Sequence, residues 1–190
     1  MKKKGWIIAG VVVFLVVIVP GCVGIGNYNR LVQTQENVDQ TWAQIENVLQ
    51  RRYDLIPNLI NTVKGYASHE KELFEEVTRL RSQWGSARSQ AQKVQAAGAL
   101  EGALGRLMVV VERYPDLKAN QNFLALQDEL AGTENRIATE RRRYNQAVRS
   151  YNVIVRRFPS NIIAGMAGFE KSDAYFEAAS GAAQVPVVEF

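Results

Sequence analysis

Residues 42–66, WAQIENVLQRRYDLIPNLINTVKGY, decide the fold, because their large apolar side chains recur on one helical face. Steps of three, four or seven residues separate these side chains, which is the period of an amphipathic α-helix. Pro57 lies inside the pattern and removes the hydrogen bond to the Tyr53 carbonyl. We therefore predict one bent helix over about residues 27–67. Its core-facing stripe comprises Leu31, Val38, Trp42, Ile45, Leu49, Tyr53, Ile56, Leu59, Ile60, Val63 and Tyr66.

Downstream, three more apolar stripes follow, and no segment of any length has the period of a strand. Ser68, Glu70 and Glu72 are typical of a helix start, because a hydroxyl can cap the first turn and acids favour the positive end of the dipole. We predict helices at about 69–92, 96–113 and 118–157, with a turn near 90–98. A short helix around residues 162–168 and an irregular tail should follow. The fold class is all-α: an N-terminal transmembrane helix and an elongated antiparallel four-helix bundle.

The N-terminus carries three lysines, Lys2 to Lys4, followed by an uncharged run over Trp6–Ile25. About 20 residues of helix are enough to cross the hydrocarbon core of a bilayer. Because positive residues stay on the cytoplasmic side, we predict a single-pass protein of the bacterial cell membrane whose domain is extracytoplasmic, or periplasmic. The chain then divides into an anchor, residues 1–26, and a domain, residues 27–190. The anchor side chains include Trp6, Ile7, Ile8, Val12, Phe14, Leu15 and Val19.

Pro20-Gly21-Cys22 leaves the fate of this segment open between three interpretations. An uncleaved anchor is favoured, since Val23–Ile25 extend the apolar run to spanning length. A lipoprotein signal lipidated on Cys22 is the second, although its proline is atypical. Simple cleavage near residues 24–26 is the third.

The net charge and the cysteine content exclude several classes of function for this protein. Lys2 to Lys4 contribute three of the 23 basic residues, which leaves 20 against 19 acidic ones. A nearly neutral domain lacks the phosphate-neutralising charge of nucleic-acid-binding proteins, so no nucleic acid is expected as a partner. Cys22 is the single cysteine, which excludes an internal disulfide framework and a thiolate metal cluster in the domain.

The chain has few of the side-chain combinations that catalytic sites use. His69 is the single histidine, so one chain cannot build a di-iron bundle site, which needs two. A metal held by His69 with Glu72 or Glu76 is conceivable, but a histidine in a capping turn beside solvated acids is the ordinary interpretation. No Ser-His-Asp or Cys-His arrangement and no phosphate-binding glycine loop can be argued. We predict no enzyme activity, no metal site, no catalytic residue and no cofactor.

A polar cluster adjoins the proline: Arg51, Arg52, Asp54, Pro57 and Asn58. Its structural interpretation is that the arginines donate hydrogen bonds to the carbonyl freed by proline and pair with the aspartate, fixing the kink. Its functional interpretation is an interface, because the rigid arginine fork suits contacts between proteins. The structural role is favoured, and both roles are compatible.

The C-terminal end, Val185–Phe190, is apolar and extended. Such an end is best explained if it docks on something. Contact side chains there would be Val187, Val188 and Phe190.

The run over residues 51–60, RRYDLIPNLI, together with VKGYASHE at 63–70, resembles the central motif of the LemA family. The similarity continues through Trp42, ERYPDLKA at 112–119, and the pairs Tyr144-Asn145, Tyr151-Asn152 and Phe158-Pro159, to the PVVEF end. This resemblance implies a bacterial protein with an N-terminal membrane segment, a helical bundle and no established enzyme activity. Cys22 lies further ahead of Tyr28 than in lipoprotein-like members, which favours the anchor.

We therefore expect a membrane-anchored structural or scaffolding protein of the cell envelope. Its expected partners are the membrane, further copies in a homo-oligomer, and another envelope protein. The alternative is a sensor or accessory subunit, in which a ligand or partner shifts the kinked helix and signals through the anchor. A concave polar pocket would favour the sensor, and a large complementary surface would favour assembly.

Overall fold

The computed structural model describes Trp6, Gly10 and residues 13–176, without the side chains of Leu15 and Val16. Every regular element in this described part is helical. A π-helical stretch over Phe14–Ile18 leads into the first α-helix. The α-helices are α1 (Val19–Asp54), α2 (Ile56–Lys64), α3 (Lys71–Ser86), α4 (Gln90–Val111), α5 (Pro115–Lys118), α6 (Gln121–Arg156) and α7 (Ser160–Ala167).

The chain divides into two compact units. The first unit comprises Met1–Gln40 and Gln146–Ser172, and the second comprises Thr41–Asn145 and Asp173–Phe190. The first unit has a small core of Leu31, Ile154 and Ala164, against which Val155, Ile163 and Phe169 pack.

The second unit holds the larger set of buried side chains. In α1 and α2 the apolar stripe is buried as predicted from Trp42 to Val63, except that Ile60 is only partly buried. Helices α3 and α4 pack against each other. Their buried side chains include Phe74, Val77, Leu80, Trp84, Ala97, Leu100, Ala103, Leu104 and Leu107.

The predicted bent helix is two helices separated at Leu55. The backbone of Leu55 remains helical, with φ −76° and ψ −22°. Pro57 lies in the first turn of α2. Proline is well tolerated at this position because the first amides of a helix have no intrahelical partner. Tyr66, the last residue of the predicted stripe, is 42% exposed.

Two predicted helix boundaries were wrong. Ser68 does not cap α3, whose N-cap is Glu70 without a side-chain hydrogen bond. The turn predicted near residues 90–98 lies earlier, because Ser89 and Gln92 form a reciprocal capping box that starts α4 at Gln90. The short helix predicted near 162–168 is confirmed as α7.

Candidate functional site

The carbonyl freed by Pro57 is bound by a residue from another helix. Arg81 of α3 donates from its Nε to the Tyr53 carbonyl oxygen at 2.9 Å. Its Nη2 also lies 3.7 Å from Oδ1 of Asp54. The donor at the kink is thus Arg81, and neither Arg51 nor Arg52 fills this role. Sequence reasoning predicted the chemistry but not the residue, because no local pattern connects positions 28 residues apart.

Arg51 and Arg52 both point to acidic residues of α6. Arg51 is exposed and lies 3.5 Å from Glu129. Arg52 is different, since only 12% of its side chain is exposed and it pairs with Glu134. Burial lowers the pKa of the Arg52 guanidinium, and nearby Glu101 opposes that shift. Arg52 therefore holds two helices of the same chain together.

Two more ion pairs cross between helices of the second unit. Arg141 of α6 binds Glu101 of α4 at 2.7 Å, with side chains 20% and 30% exposed. Lys93 of α4 pairs with Glu46 of α1. Together with the Arg52–Glu134 pair, these contacts connect α1 with α4, α1 with α6, and α4 with α6. Truncating one partner of such a half-buried pair leaves the other charge uncompensated.

Aromatic rings surround the same network. Tyr53 packs edge-on against Trp84, with ring centroids 4.8 Å apart. The Lys93 ammonium lies 5.3 Å from the centre of the Trp84 ring, within cation–π distance. Burial raises the pKa of the Tyr53 hydroxyl above its ordinary value. Within the described part, the buried Nε1 of Trp84 and Nε of Arg141 lack a hydrogen-bond partner.

The remaining cluster residues form a polar patch on the surface of the second unit, which we call the kink patch: Arg51, Asp54, Pro57 and Asn58, all exposed. Asp54 accepts a hydrogen bond from Gln50 at 2.8 Å. The Asn58 carbonyl accepts one from the Thr62 hydroxyl. The structure thus separates Arg52, which is turned inward, from the other four residues of the predicted cluster.

Asn145 clamps the chain that follows α7, also within the second unit. Its side-chain amide donates to the Phe176 carbonyl at 2.7 Å, and its oxygen accepts from the Phe176 amide at 3.0 Å. The Phe176 ring is 5.7 Å from Tyr144 and 6.3 Å from Trp42. Arg141 lies over the same ring at 5.1 Å. The sequence marks Tyr144-Asn145 as a pair but does not reveal the backbone clamp.

A matching clamp lies within the first unit. Asn152 donates to the Ser172 carbonyl at 2.7 Å and accepts from the Ser172 amide at 2.9 Å. Tyr151 donates its hydroxyl proton to the Glu170 carbonyl at 2.8 Å. The Tyr-Asn pairs recur seven residues apart in α6, but this repeat does not reveal which backbone groups the asparagines bind.

Several predicted positions at the two ends are only partly described. Trp6, Phe14 and Val19 carry exposed side chains. Cys22 is exposed within α1. Ile7, Ile8, Val12 and the tail residues Val187, Val188 and Phe190 lie outside the described residues, as does the side chain of Leu15.

Among the described residues, α4 alone is long and apolar enough to cross a bilayer. Its apolar side chains are largely accounted for by packing, since Leu100, Leu104 and Leu107 are buried in the core. A core helix meets the same length and composition criteria as a membrane span.

Neither a metal cluster nor an acid–base site emerges in the described part. His69 is exposed, and no group of three His, Cys, Asp or Glu side chains is placed to hold an ion there. A surface recess of about 420 Å³ lies where α3 ends and α4 begins. Its lining is uncharged: Gln83, Ser86, Gln92 and Gln95 with three alanines.

Known proteins resemble this chain over most of its length. "Magnetosome protein MamQ 2" of Paramagnetospirillum magneticum is 29% identical over 180 residues, covering 81% of this chain and 66% of that protein. "Magnetosome protein MamQ" of Magnetospirillum gryphiswaldense is 27% identical with the same coverage. "Protein LemA" of Metamycoplasma hominis is 26% identical over 166 residues, covering 87% and 74%. The chain thus spans slightly under two thirds of the magnetosome relatives' length.

The sequence profile of the LemA family matches residues 41–190. This range contains the kink, the ion pairs of Arg52, Lys93 and Arg141, and the Asn145 and Asn152 clamps. Because the match covers far more than half of the chain and includes the motif around Pro57, the protein belongs to the LemA family.

Proposed function

We propose that this protein is a membrane-anchored, non-enzymatic scaffold of the bacterial cell envelope, whose helical bundle self-associates at the membrane. The observation that supports the membrane anchor is a concentration of exposed apolar side chains near the N-terminus. They include Trp6, Phe14, Val17, Ile18, Val19, Val23 and Ile25, each at least 45% exposed. So large an apolar surface without protein cover is typical of contact with lipid. Residues 1–26 would be the uncleaved transmembrane anchor.

The orientation of the anchor follows from charge. Lys2 to Lys4 precede the uncharged run and would remain in the cytoplasm, which places residues 27–190 on the extracytoplasmic side. Helix α1 begins inside the uncharged run and continues to Asp54. Protease added outside intact or outer-membrane-permeabilised cells should degrade the domain. Full protection, with a cytoplasmic reporter active at the C-terminus, would contradict this topology.

A four-helix bundle fits the contacts of the second unit. Ion pairs connect α1 with α4, α1 with α6, and α4 with α6, while α3 packs on α4. The half-buried cations Arg52, Lys93 and Arg141 are engaged by carboxylates of the same chain. A site whose charges already neutralise one another supports a structural role more than catalysis. The names of the magnetosome and LemA relatives state no enzyme activity either.

Self-association would use two regions of the chain. The kink patch supplies polar contacts, and the apolar end at Val187, Val188 and Phe190 supplies hydrophobic ones. Tethering copies to a membrane raises their effective concentration, so contacts that are weak in solution can still produce ordered oligomers.

Cross-linking in native membranes tests this assembly. Arg51→Glu should shift the cross-linked ladder toward smaller species, because it reverses one charge of the kink patch. Arg149→Glu is the matched control, since Arg149 is also exposed but lies outside the patch. Arg52 is unsuitable, because its pairing with Glu134 means that a reversal would disturb the fold. Deleting residues 186–190 should also reduce oligomer size at unchanged helical content.

The sensor or accessory-subunit role is the second candidate, and the amide-lined recess between α3 and α4 favours it. Its neutral lining suits a small uncharged polar ligand. If the wild-type protein does not cross-link in membranes and runs as a monomer in several mild detergents, assembly is excluded and the sensor role replaces it.

A further inference from the structure

We propose that α7 forms a second membrane contact, lying in the headgroup layer beside the anchor. The contact surface is an interfacial patch made of Phe158, Ile162 and Met166. This inference rests on the anchor in the proposed function, and it adds a lipid-binding surface that fixes how the first unit meets the bilayer. The interfacial patch and the residues that pack beneath it all belong to the first unit.

The inner face of α7 is already filled. Ala164 is buried against Leu31 and Ile154, and Ile163 packs on the same cluster. The buried Ser160 hydroxyl bonds the carbonyl of Ile154 at 2.7 Å and that of Arg157 at 2.8 Å. Helix α7 is therefore held in a fixed rotation, which determines the side chains that face outward.

Those outward side chains are apolar and uncovered. Ile162 is 52% exposed, Met166 is 82% exposed, and Phe158, just before the helix, is 74% exposed. Ile162 and Met166 are one turn apart and share a face. From Phe158 to Phe169 the chain carries no charged residue. A helix that is apolar on both its packed and its open face is expected to be covered on both.

The position of α7 along α1 indicates that lipid covers the exposed apolar face of α7. Ile163 Cδ1 lies 3.7 Å from where a Cβ on Gly24 would stand. Gly24 is at the end of the uncharged run, and Leu31, which α7 also contacts, is about 10 Å further along the helix. Helix α7 thus lies at the level where an anchor helix leaves the hydrocarbon core and enters the headgroups.

The flanking residues fit the same layer. Tyr28 packs edge-on against Phe169 at 5.9 Å and is itself 45% exposed, and tyrosine is enriched at membrane interfaces. Arg156 and Arg157 are exposed immediately before Phe158, where their cations can reach lipid phosphates. Glu170, also exposed, is the acidic residue that follows the uncharged stretch.

The test measures lipid contact at single positions in the full chain. Cys22 is the single cysteine, so Cys22→Ser supplies a background for Val17→Cys, Met166→Cys and Val109→Cys. Each cysteine is labelled with an environment-sensitive fluorophore. The proteins are reconstituted into phosphatidylcholine–phosphatidylglycerol vesicles, with and without nitroxide-labelled lipid. Val109 is the matched control, because it is 70% exposed and apolar but belongs to the second unit.

We expect quenching at position 166 to reach within about twofold of that at position 17, with none above background at position 109.

Quenching at 17 without quenching at 166 would overturn the interfacial patch and leave the anchor intact. A blue-shifted but unquenched label at 166 would also overturn it, since protein would then cover the face. Equal quenching at 109 and 166 would overturn the specific contact. No quenching at 17 would overturn the anchor itself. Ile162→Cys repeats the measurement on the same face if the 166 variant loses helical content.

Discussion

Pro57 of α2 has no amide to donate to the Tyr53 carbonyl of α1, and Arg81 of α3 donates to that carbonyl instead. The Tyr53 carbonyl accepts from Arg81 Nε at 2.9 Å, whereas an unbroken helix would supply the amide of residue 57. A carbonyl left without a donor in a packed region costs about 1–3 kcal/mol. Proline and arginine are therefore energetically coupled, although 24 positions separate them in the sequence.

That coupling can be measured as a double-mutant cycle. Arg81→Ala should lower the free energy of unfolding by about 1–3 kcal/mol, because the Tyr53 carbonyl loses its donor. In a Pro57→Ala background the cost should be smaller, since alanine offers an amide at the required position. Urea unfolding of the four proteins gives the coupling, with Arg79→Ala as an exposed control on α3. Equal costs of Arg81→Ala in both backgrounds would contradict the account.

Trp42 tests whether the predicted stripe faces the core. It is 8% exposed and its ring lies 5.4 Å from that of Tyr144. Trp42→Ala should cost about 3–5 kcal/mol by leaving a void, whereas exposed Gln35→Ala should cost little. The two variants are compared by thermal and urea unfolding. Similar losses from both would mean that the stripe does not face a core.

Tyr53 should make stability decline at alkaline pH. Burial raises the pKa of its hydroxyl in the folded state above the ordinary value of 10.0. The unfolded chain therefore loses the proton first, and the stabilisation present below about pH 10 is lost as pH rises toward the folded pKa. Tyr53→Phe should lose stability less steeply than wild type between neutral pH and about pH 11. Parallel stability curves for the two proteins would contradict this assignment.

Among the structural elements, the segment after α7 is the one most dependent on side-chain clamps. Its described part, residues 169–176, has no regular secondary structure, and part of its backbone bonding comes from Asn145 and Asn152 in α6. Each asparagine both donates and accepts, which imitates the pairing of two strands. A side chain that satisfies an amide and a carbonyl together is difficult to replace.

Asn145→Ala should therefore release Phe176, and Asn152→Ala should release Ser172. Each variant removes both hydrogen bonds of its clamp, so local opening should become easier by about 1–3 kcal/mol. Amide hydrogen exchange followed by mass spectrometry reports this at the two positions. Each variant serves as the control for the other, because the clamps belong to different units. Unchanged exchange at Phe176 in the Asn145 variant would show that the clamp does not hold the segment.

Helices were predictable from this sequence where apolar periodicity was strong. The stripe from Trp42 to Val63 and the short α7 are confirmed, since both depend on local patterns. Start sites were less predictable: Ser68 is not the N-cap of α3, whereas Ser89 and Gln92 do form the capping box of α4. The Arg81 donor and the two asparagine clamps join distant parts of the chain, so no local pattern reveals them.

For the whole molecule, we propose an uncleaved anchor and an exported bundle that binds copies of itself. The anchor depends on Trp6–Ile25 remaining attached to the domain rather than being removed ahead of Cys22 or near residue 25. The proposed assembly depends on the kink patch and on the C-terminal end. Both claims concern the mature protein as it exists in the membrane.

Native mass spectrometry of the intact protein, extracted from bacterial membranes in mild detergent, tests both claims in one sample. The account predicts a chain of about 21.3 kDa that retains the N-terminal segment, released from complexes whose masses are multiples of that value. A chain beginning at a diacylated Cys22, or one shortened near residue 25, would contradict the anchor. Monomers alone, from several detergents, would contradict the self-associating scaffold.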